Sequence, residues 1–144
     1  MKTNFRCDCP FTSALDVLGD KWMLVIVKLM LLELKTTFKD FMESNESIAS
    51  NILSSKLKAL EEFQIVYKTK LPGNKKTNIY QLTDKGLALA PLLIELAVWS
   101  DNHLRDFHPD ILSEGGVEFL RKDKTAFTET VLNRYKSSMI DNTY

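Results

Sequence analysis

Asn51, Ser54, Ser55 and Lys58 recur at the spacing that brings residues to one face of a helix. Their chemistry is that of short hydrogen-bonding groups and a cation, the types that read base edges and hold phosphates in a DNA groove. An asparagine presents a donor and an acceptor side by side and can pair with both adenine groups in the major groove, so Asn51 is the strongest candidate for direct base contact. Lys58 has the reach for a guanine edge or a phosphate, and the small serines let the backbone come close. Ser50 and Lys56 on the same segment, and Lys68, Lys75, Lys76 and Thr77 just beyond it, extend the candidate DNA-binding set. The competing reading of such a face is plain solvated helix surface.

The second chemical feature is the pair Cys7 and Cys9, the only cysteines in the chain. One intervening residue suits neither a structural disulfide framework nor a four-ligand zinc site. Only His103 and His108 could add nitrogen ligands, at a spacing that fits no common motif, so neither a metal nor a cofactor is expected. Cys9 precedes Pro10 at a helix start, where the helix dipole lowers a thiol pKa and favours the reactive thiolate. The alternative is a chemically quiet packing cysteine.

The elements that must position these groups come from a chain of 144 residues, 44% hydrophobic and 26% charged, the composition of one globular domain. No secretory signal opens it, and the most apolar run, Trp22 to Leu32, is too short to span a bilayer, so a cytoplasmic protein without membrane association is expected. Net charge is zero, which argues against DNA binding, but the charges are segregated. Lys68, Lys70, Lys75 and Lys76 fall in a stretch without acids, whereas Asp101 to Asp123 is mainly acidic. No Ser-His-Asp, Cys-His or paired-carboxylate spacing and no glycine-rich phosphate loop is present, so enzyme activity is not expected.

Phe11, Leu15 and Leu18 predict a first helix between Pro10 and Gly19. Asp20 stands as the N-cap of a second, apolar on nearly every side from Trp22 to Leu32 and therefore central. Thr36 and Thr37 suggest a stub of strand, and Phe38 to Met42 one or two helical turns. Leu53, Leu57 and Leu60, with Ile52, stripe a helix from about Ser50 to Phe63. A hairpin follows, with strands Ile65 to Leu71 and Asn78 to Leu82 around the turn Pro72-Gly73-Asn74. Thr83 or Asp84 then caps a long helix to about Phe107, with Pro91 inside it as a predicted bend. Beyond the break at Gly115-Gly116, Val117 to Leu120 and Ala126 to Tyr135 read as two helical segments. Residues 1–110 form the expected main domain, and 111–144 a helical extension.

Helices followed by a lysine-tipped hairpin are in the order of a winged helix-turn-helix, mainly α with a small β-hairpin, whose third helix enters the major groove while the wing flanks it. At this point Cys9-Pro10 and Ala14-Leu15-Asp16-Val17-Leu18-Gly19-Asp20-Lys21-Trp22 resemble the opening of the HxlR family of regulators, with its Gly-x-Lys-Trp turn. Phe38 and Phe41, the spacing of Ile48 through Leu60, Tyr80-x-Leu82-Thr83-x-x-Gly86, and Pro91, Leu96 and Trp99 continue the resemblance in order over about Cys9 to Trp99. The resemblance implies a DNA-binding transcription regulator, a homodimer on double-stranded DNA joined through its first and long C-terminal helices. Phe11, Leu15, Leu92, Leu96 and Trp99 are the interface residues, and Trp22 a core or interface residue. It also implies that an N-terminal cysteine such as Cys9, with Cys7 beside it, can sense oxidants or electrophiles. No small-molecule effector is assigned. Two departures carry structural expectations: Ala49 stands where the family has a capping serine, leaving Ser47 or Ser50 to cap, and Gln64 replaces a glycine, implying a left-handed residue or altered turn. The rival function is a winged helix that binds protein without specific DNA binding, for which zero net charge and an acidic tail would suit.

Overall fold

A computed structural model of the chain describes residues 4–111 and 122–139. It is mainly helical with one antiparallel hairpin, and divides into two compact units, 1–86 and 87–144.

In the first unit, α1 spans Pro10–Leu18 and α2 Met23–Glu33. Asp20 starts α2 as expected by chemistry, although two residues before the formal N-cap: its Oδ1 accepts from the backbone N–H groups of Trp22 and Met23 at 2.7 and 2.9 Å. Met23, Ile26, Val27, Leu29, Met30 and Leu31 are buried, so α2 is the axis of the core. It ends where Leu34 turns left-handed at φ 57°.

No strand forms at Thr36 and Thr37; what remains of the expected pairing is one hydrogen bond, in which Tyr80 N–H donates to the Thr36 carbonyl at 2.7 Å. Thr37 instead caps α3, Phe38–Met42, in a reciprocal capping box with Asp40. The box prevails because a five-residue helix cannot satisfy its own first N–H groups. Burial pushes the Asp40 carboxyl up, but the Thr36 and Thr37 amides, the Thr37 hydroxyl and the Lys35 charge outweigh it and hold it below the usual range.

The fourth helix, α4, runs Ser50–Glu62 and packs against α3 and β1. The hairpin pairs β1, Val66–Leu71, with β2, Asn74–Leu82, and β2 also packs on α2. Phe41, Ile48, Leu53, Leu57, Leu60, Ile65, Val66, Ile79 and Leu82 complete this core. A short helix, α5, Asp84–Leu87, follows. Gly86 permits its close approach, since a Cβ there would lie 2.4 Å from the Ile65 carbonyl oxygen.

The single long helix expected from Thr83 to Phe107 is corrected. The chain leaves α5 after Leu87 and starts α6 at Ala90–His103, with Pro91 in the first turn, where a missing N–H is harmless. Pro91 therefore begins a helix instead of bending one. In the second unit α7, Lys124–Ser138, covers the expected Ala126 to Tyr135 helix, and Asp123 caps it by accepting from Ala126 N–H at 3.0 Å. Phe127 packs on Ile94 and Val98, Val131 and Tyr135 are buried, and Lys124 Nζ reaches Glu95 Oε1 at 2.8 Å. The segment predicted at Val117 to Leu120, with Gly115-Gly116, lies outside the described residues. Among the described residues no helix is long and apolar enough to cross a membrane.

Candidate nucleic-acid interface

The two sides of α4 are chemically distinct. Leu53, Leu57 and Leu60 are sealed into the core, while Ser50, Asn51, Ser54, Ser55 and Lys58 are exposed. Lys56 departs from this face: it is half-buried, with Nζ 2.8 Å from Asp20 Oδ2, and so ties α4 to the start of α2 instead of standing free for phosphate. Neither Ser47 nor Ser50 supplies the expected cap. Ala49 occupies the N-cap without a side-chain bond, because Ser47 is left-handed at φ 56° and Ser50 is already inside the helix.

The C-terminal end of α4 is fastened by Thr83 and by Lys85, the second of which sequence reasoning missed. Gln64 is left-handed at φ 60°, as its replacement of a glycine implied. Lys85 Nζ donates to the Phe63 carbonyl at 2.6 Å, and the Thr83 hydroxyl donates to the Gln64 carbonyl at 2.6 Å while accepting from Gly86 N–H at 3.1 Å. The last carbonyls of a helix otherwise lack partners, so these bonds both satisfy them and anchor α4 to the end of β2. Thr83 reads in the sequence as a helix cap and as part of the Thr83-x-x-Gly86 family match, and its bond from Gly86 N–H at the start of α5 fits the capping reading; its bond back to the Gln64 carbonyl has no sequence signal.

The wing turns at Pro72-Gly73, with Gly73 at φ 81°, a conformation that favours glycine. Pairing begins at Leu71 with Asn74, earlier than the expected second strand at Asn78. The register then shifts so that Lys70 faces Asn78, leaving Lys75, Lys76 and Thr77 outside the paired register. Asn74 stabilises this bulge: Oδ1 accepts from Lys76 N–H at 3.1 Å, and Nδ2 donates to the Thr77 hydroxyl at 2.9 Å. Lys75 and Lys76 are exposed, Thr77 is half-buried, and Lys68 lies 4.0 Å from Glu61 on α4.

Between the start of α3 and this wing lies an open groove of about 550 Å³, lined by Thr37, Phe38, Lys39, Lys76, Thr77, Asn78 and Tyr80. It has two lysines and no carboxylate in its lining. Lys39 was missed because a lysine in a five-residue helix makes no pattern.

Cys7 and Cys9 are both exposed, and Cys9 is the N-cap of α1. Its thiol makes no capping hydrogen bond, yet the nearby amide and hydroxyl of Thr12 and the amide of Phe11 hold it below the usual thiol range. Just upstream, Arg6 clasps Asp16: its backbone N–H donates to Oδ2 at 3.1 Å and its Nε to Oδ1 at 2.8 Å. The expected interface residues all stand exposed, from 42% for Leu92 to 72% for Phe11, with Leu15, Leu96 and Trp99 between. Trp99 stacks on His103 at 5.5 Å between ring centroids, while Trp22 is half-buried under Lys21 Nζ at 4.9 Å. Among the described residues no group of three or more His, Cys, Asp or Glu is placed to hold a metal ion.

This order of helices, with an exposed polar helix face beside a basic wing, defines a winged helix-turn-helix DNA-binding protein. Residues 17–107 match the HxlR-like helix-turn-helix family, and the chain belongs to it. The transcriptional regulator YodB of Bacillus subtilis is 35% identical over 94 residues, 65% of this chain and 83% of YodB. The structure of its reduced form aligns with a TM-score of 0.55 at 33% identity, covering 67% of this chain and 95% of that one. PA1607, described as a putative transcription factor, aligns with a TM-score of 0.65 at 32% identity, over 77% and 79% of the two chains. The redox regulator HypR in its oxidised form aligns with a TM-score of 0.58 at 27% identity, over 66% and 97%. The chain is a helix-turn-helix transcription regulator of this family.

Proposed function

We propose that the protein acts in the cytoplasm as a homodimeric repressor that binds two half-sites on duplex DNA, about one helical turn or a multiple of it apart. The observation that carries this reading is the two-sided α4, whose exposed Asn51, Ser54, Ser55 and Lys58 oppose its buried leucines. In this reading α4 enters the major groove with Asn51 on an adenine edge. The unpaired wing residues Lys75, Lys76 and Thr77 meet phosphates, and Lys39 adds a phosphate contact from the other wall of the groove. The exposed apolar residues of α1 and α6 form the dimer contact, which is the fate expected of surface leucine, phenylalanine and tryptophan in an otherwise polar exterior.

Cys9 is the sensing residue, a thiol poised as thiolate at the start of α1. Support comes from relatives described as a redox regulator and as a quinone-bound regulator. Selection from a randomised duplex pool tests the DNA reading. Enrichment of one motif with paired half-sites, bound less tightly as salt rises, is the expected result. Zero net charge favours the second reading, a protein-binding module, and an unenriched pool with salt-insensitive association to protein would select it.

A further inference from the structure

We infer that Cys7 and Cys9 close a reversible intrachain disulfide on reaction with a hydroperoxide, Cys9 attacking and Cys7 resolving. The inference rests on the reading of Cys9 as the sensing thiol and adds its chemical partner.

The cysteine inventory narrows the possibilities first. Among the 144 residues Cys7 is the one other cysteine, so it is the thiol these residues offer to resolve an oxidised Cys9, from the same chain or from a second copy. Both thiols are exposed, which lets the peroxide in and leaves Cys7 free to follow. Residues two apart lie within the span of about 7 Å that a disulfide can bridge between Cα atoms. The chain also bends over Arg6 to Asp8, the stretch that carries Cys7. The Arg6–Asp16 clasp holds that bend against α1, through both the amide and the guanidinium of Arg6. Cys7 is thus kept beside the start of α1 instead of trailing into solvent on a loose terminus. A tethered thiol two residues away has a far higher effective concentration than a thiol on another molecule.

The steps balance. The Cys9 thiolate attacks the terminal oxygen of the hydroperoxide, an S–O bond forms, the O–O bond breaks, and the alkoxide leaves and is protonated to the alcohol. The sulfenic acid on Cys9 is then attacked by the Cys7 thiolate. The S–S bond forms, the S–O bond breaks, and hydroxide leaves as water with the proton that Cys7 gave up. Two thiols have lost two electrons and the peroxide has gained them. The small ring is strained, which makes it readily reducible by cellular thiols, as a reversible signal needs. The product also removes negative charge from the first turn of α1, the helix that exposes Phe11 and Leu15.

The experiment treats the reduced full-length protein with one equivalent of cumene hydroperoxide, blocks remaining thiols with N-ethylmaleimide, and reads intact mass and non-reducing electrophoresis. The expected product is a monomer-sized chain lacking two hydrogens and carrying no maleimide, restored by dithiothreitol. In Cys7→Ser, Cys9 should instead persist as a sulfenic acid that dimedone traps, and Cys9→Ser should leave Cys7 fully alkylated. Oxidation of wild-type Cys9 with Cys7 still open to maleimide would overturn the inference alone, as would a covalent dimer as the main product. No oxidation of Cys9 under these conditions would overturn the sensing reading itself.

Discussion

Lys56 Nζ lies 2.8 Å from Asp20 Oδ2, joining α4, the helix with the exposed polar face, to the turn that starts α2. The same carboxylate uses its other oxygen to accept the Trp22 and Met23 amides, so one side chain both begins the central helix and fixes the helix that packs near it. Asp20→Ala should therefore destabilise the fold by about 1–2 kcal/mol, as loss of a capping carboxylate does, measured by urea denaturation. Lys56→Ala should cost less, about 0.2–1 kcal/mol, because the pair is partly exposed.

That pair also sets a pH dependence. Burial raises the Asp20 pKa, but the Lys56 hydrogen bond, the two amides and the Lys56 charge outweigh it, leaving the folded value lowered. A carboxylate with a lowered folded pKa contributes stability above its unfolded value of about 3.9, and the contribution is lost as pH falls through the folded value. Asp40 acts in the same direction. Denaturation midpoints should hold from pH 7 to 5 and fall below pH 4, and Asp20→Asn should flatten the acid limb.

Base reading and phosphate binding separate by salt. Asn51→Ala should cost about 1–3 kcal/mol on the preferred duplex and relax discrimination at one base position, with the salt slope unchanged. Lys75→Ala with Lys76→Ala should weaken all duplexes alike and reduce the slope of log K against log salt by about one for each phosphate no longer neutralised, as should Lys39→Ala. Anisotropy titrations at several salt concentrations check all three. Equal weakening of every duplex by Asn51→Ala would remove it from the base-reading role.

Leu92, Leu96 and Trp99 sit one turn apart on α6, and all three are exposed. Leu96→Glu or Trp99→Glu should convert a dimer to monomers in sedimentation and weaken binding to a two-half-site duplex far more than to a single half-site. A wild-type chain that sediments as a monomer at micromolar concentration would refute the dimer outright.

Gln64 occupies the left-handed region at φ 60°, where a side chain with Cβ is disfavoured by about 1–2 kcal/mol. Gln64→Gly should raise stability, by about 0.5–1 kcal/mol once the greater freedom of the unfolded glycine is subtracted. Its carbonyl continues to accept from Thr83, so DNA binding should be unchanged.

The parts of the fold legible in the sequence are those written as periodicity. The leucine stripe of α4 and the wall-to-wall apolar α2 place the core, and the polar residues between the leucines place the exposed face. Punctuation is less legible. Pro91 reads as a mid-helix bend because nothing in the apolar pattern marks Ala88 and Leu89 as a break, yet a proline is best accommodated in a first turn. Thr36 and Thr37 have strand-forming side chains, but a side-chain oxygen three residues before Asp40 also makes a capping box, and the cap prevails. Lys56 cannot be separated from Lys58 by type. Only their angular positions around α4, with Asp20 close to one of them, distinguish a tether from a free cation.

The division of α4 into a sealed face and an open one has an evolutionary consequence. Exposed positions away from caps and networks usually tolerate substitution within about 0.5 kcal/mol, so Asn51, Ser54 and Ser55 can drift without threatening the scaffold. A duplicated copy of this gene could thus acquire a new operator through a few surface replacements, while Leu53, Leu57 and Leu60 stay under strict packing constraint. Divergence among paralogues should concentrate on one side of a single helix, and the target sequence should change faster than the architecture that reads it.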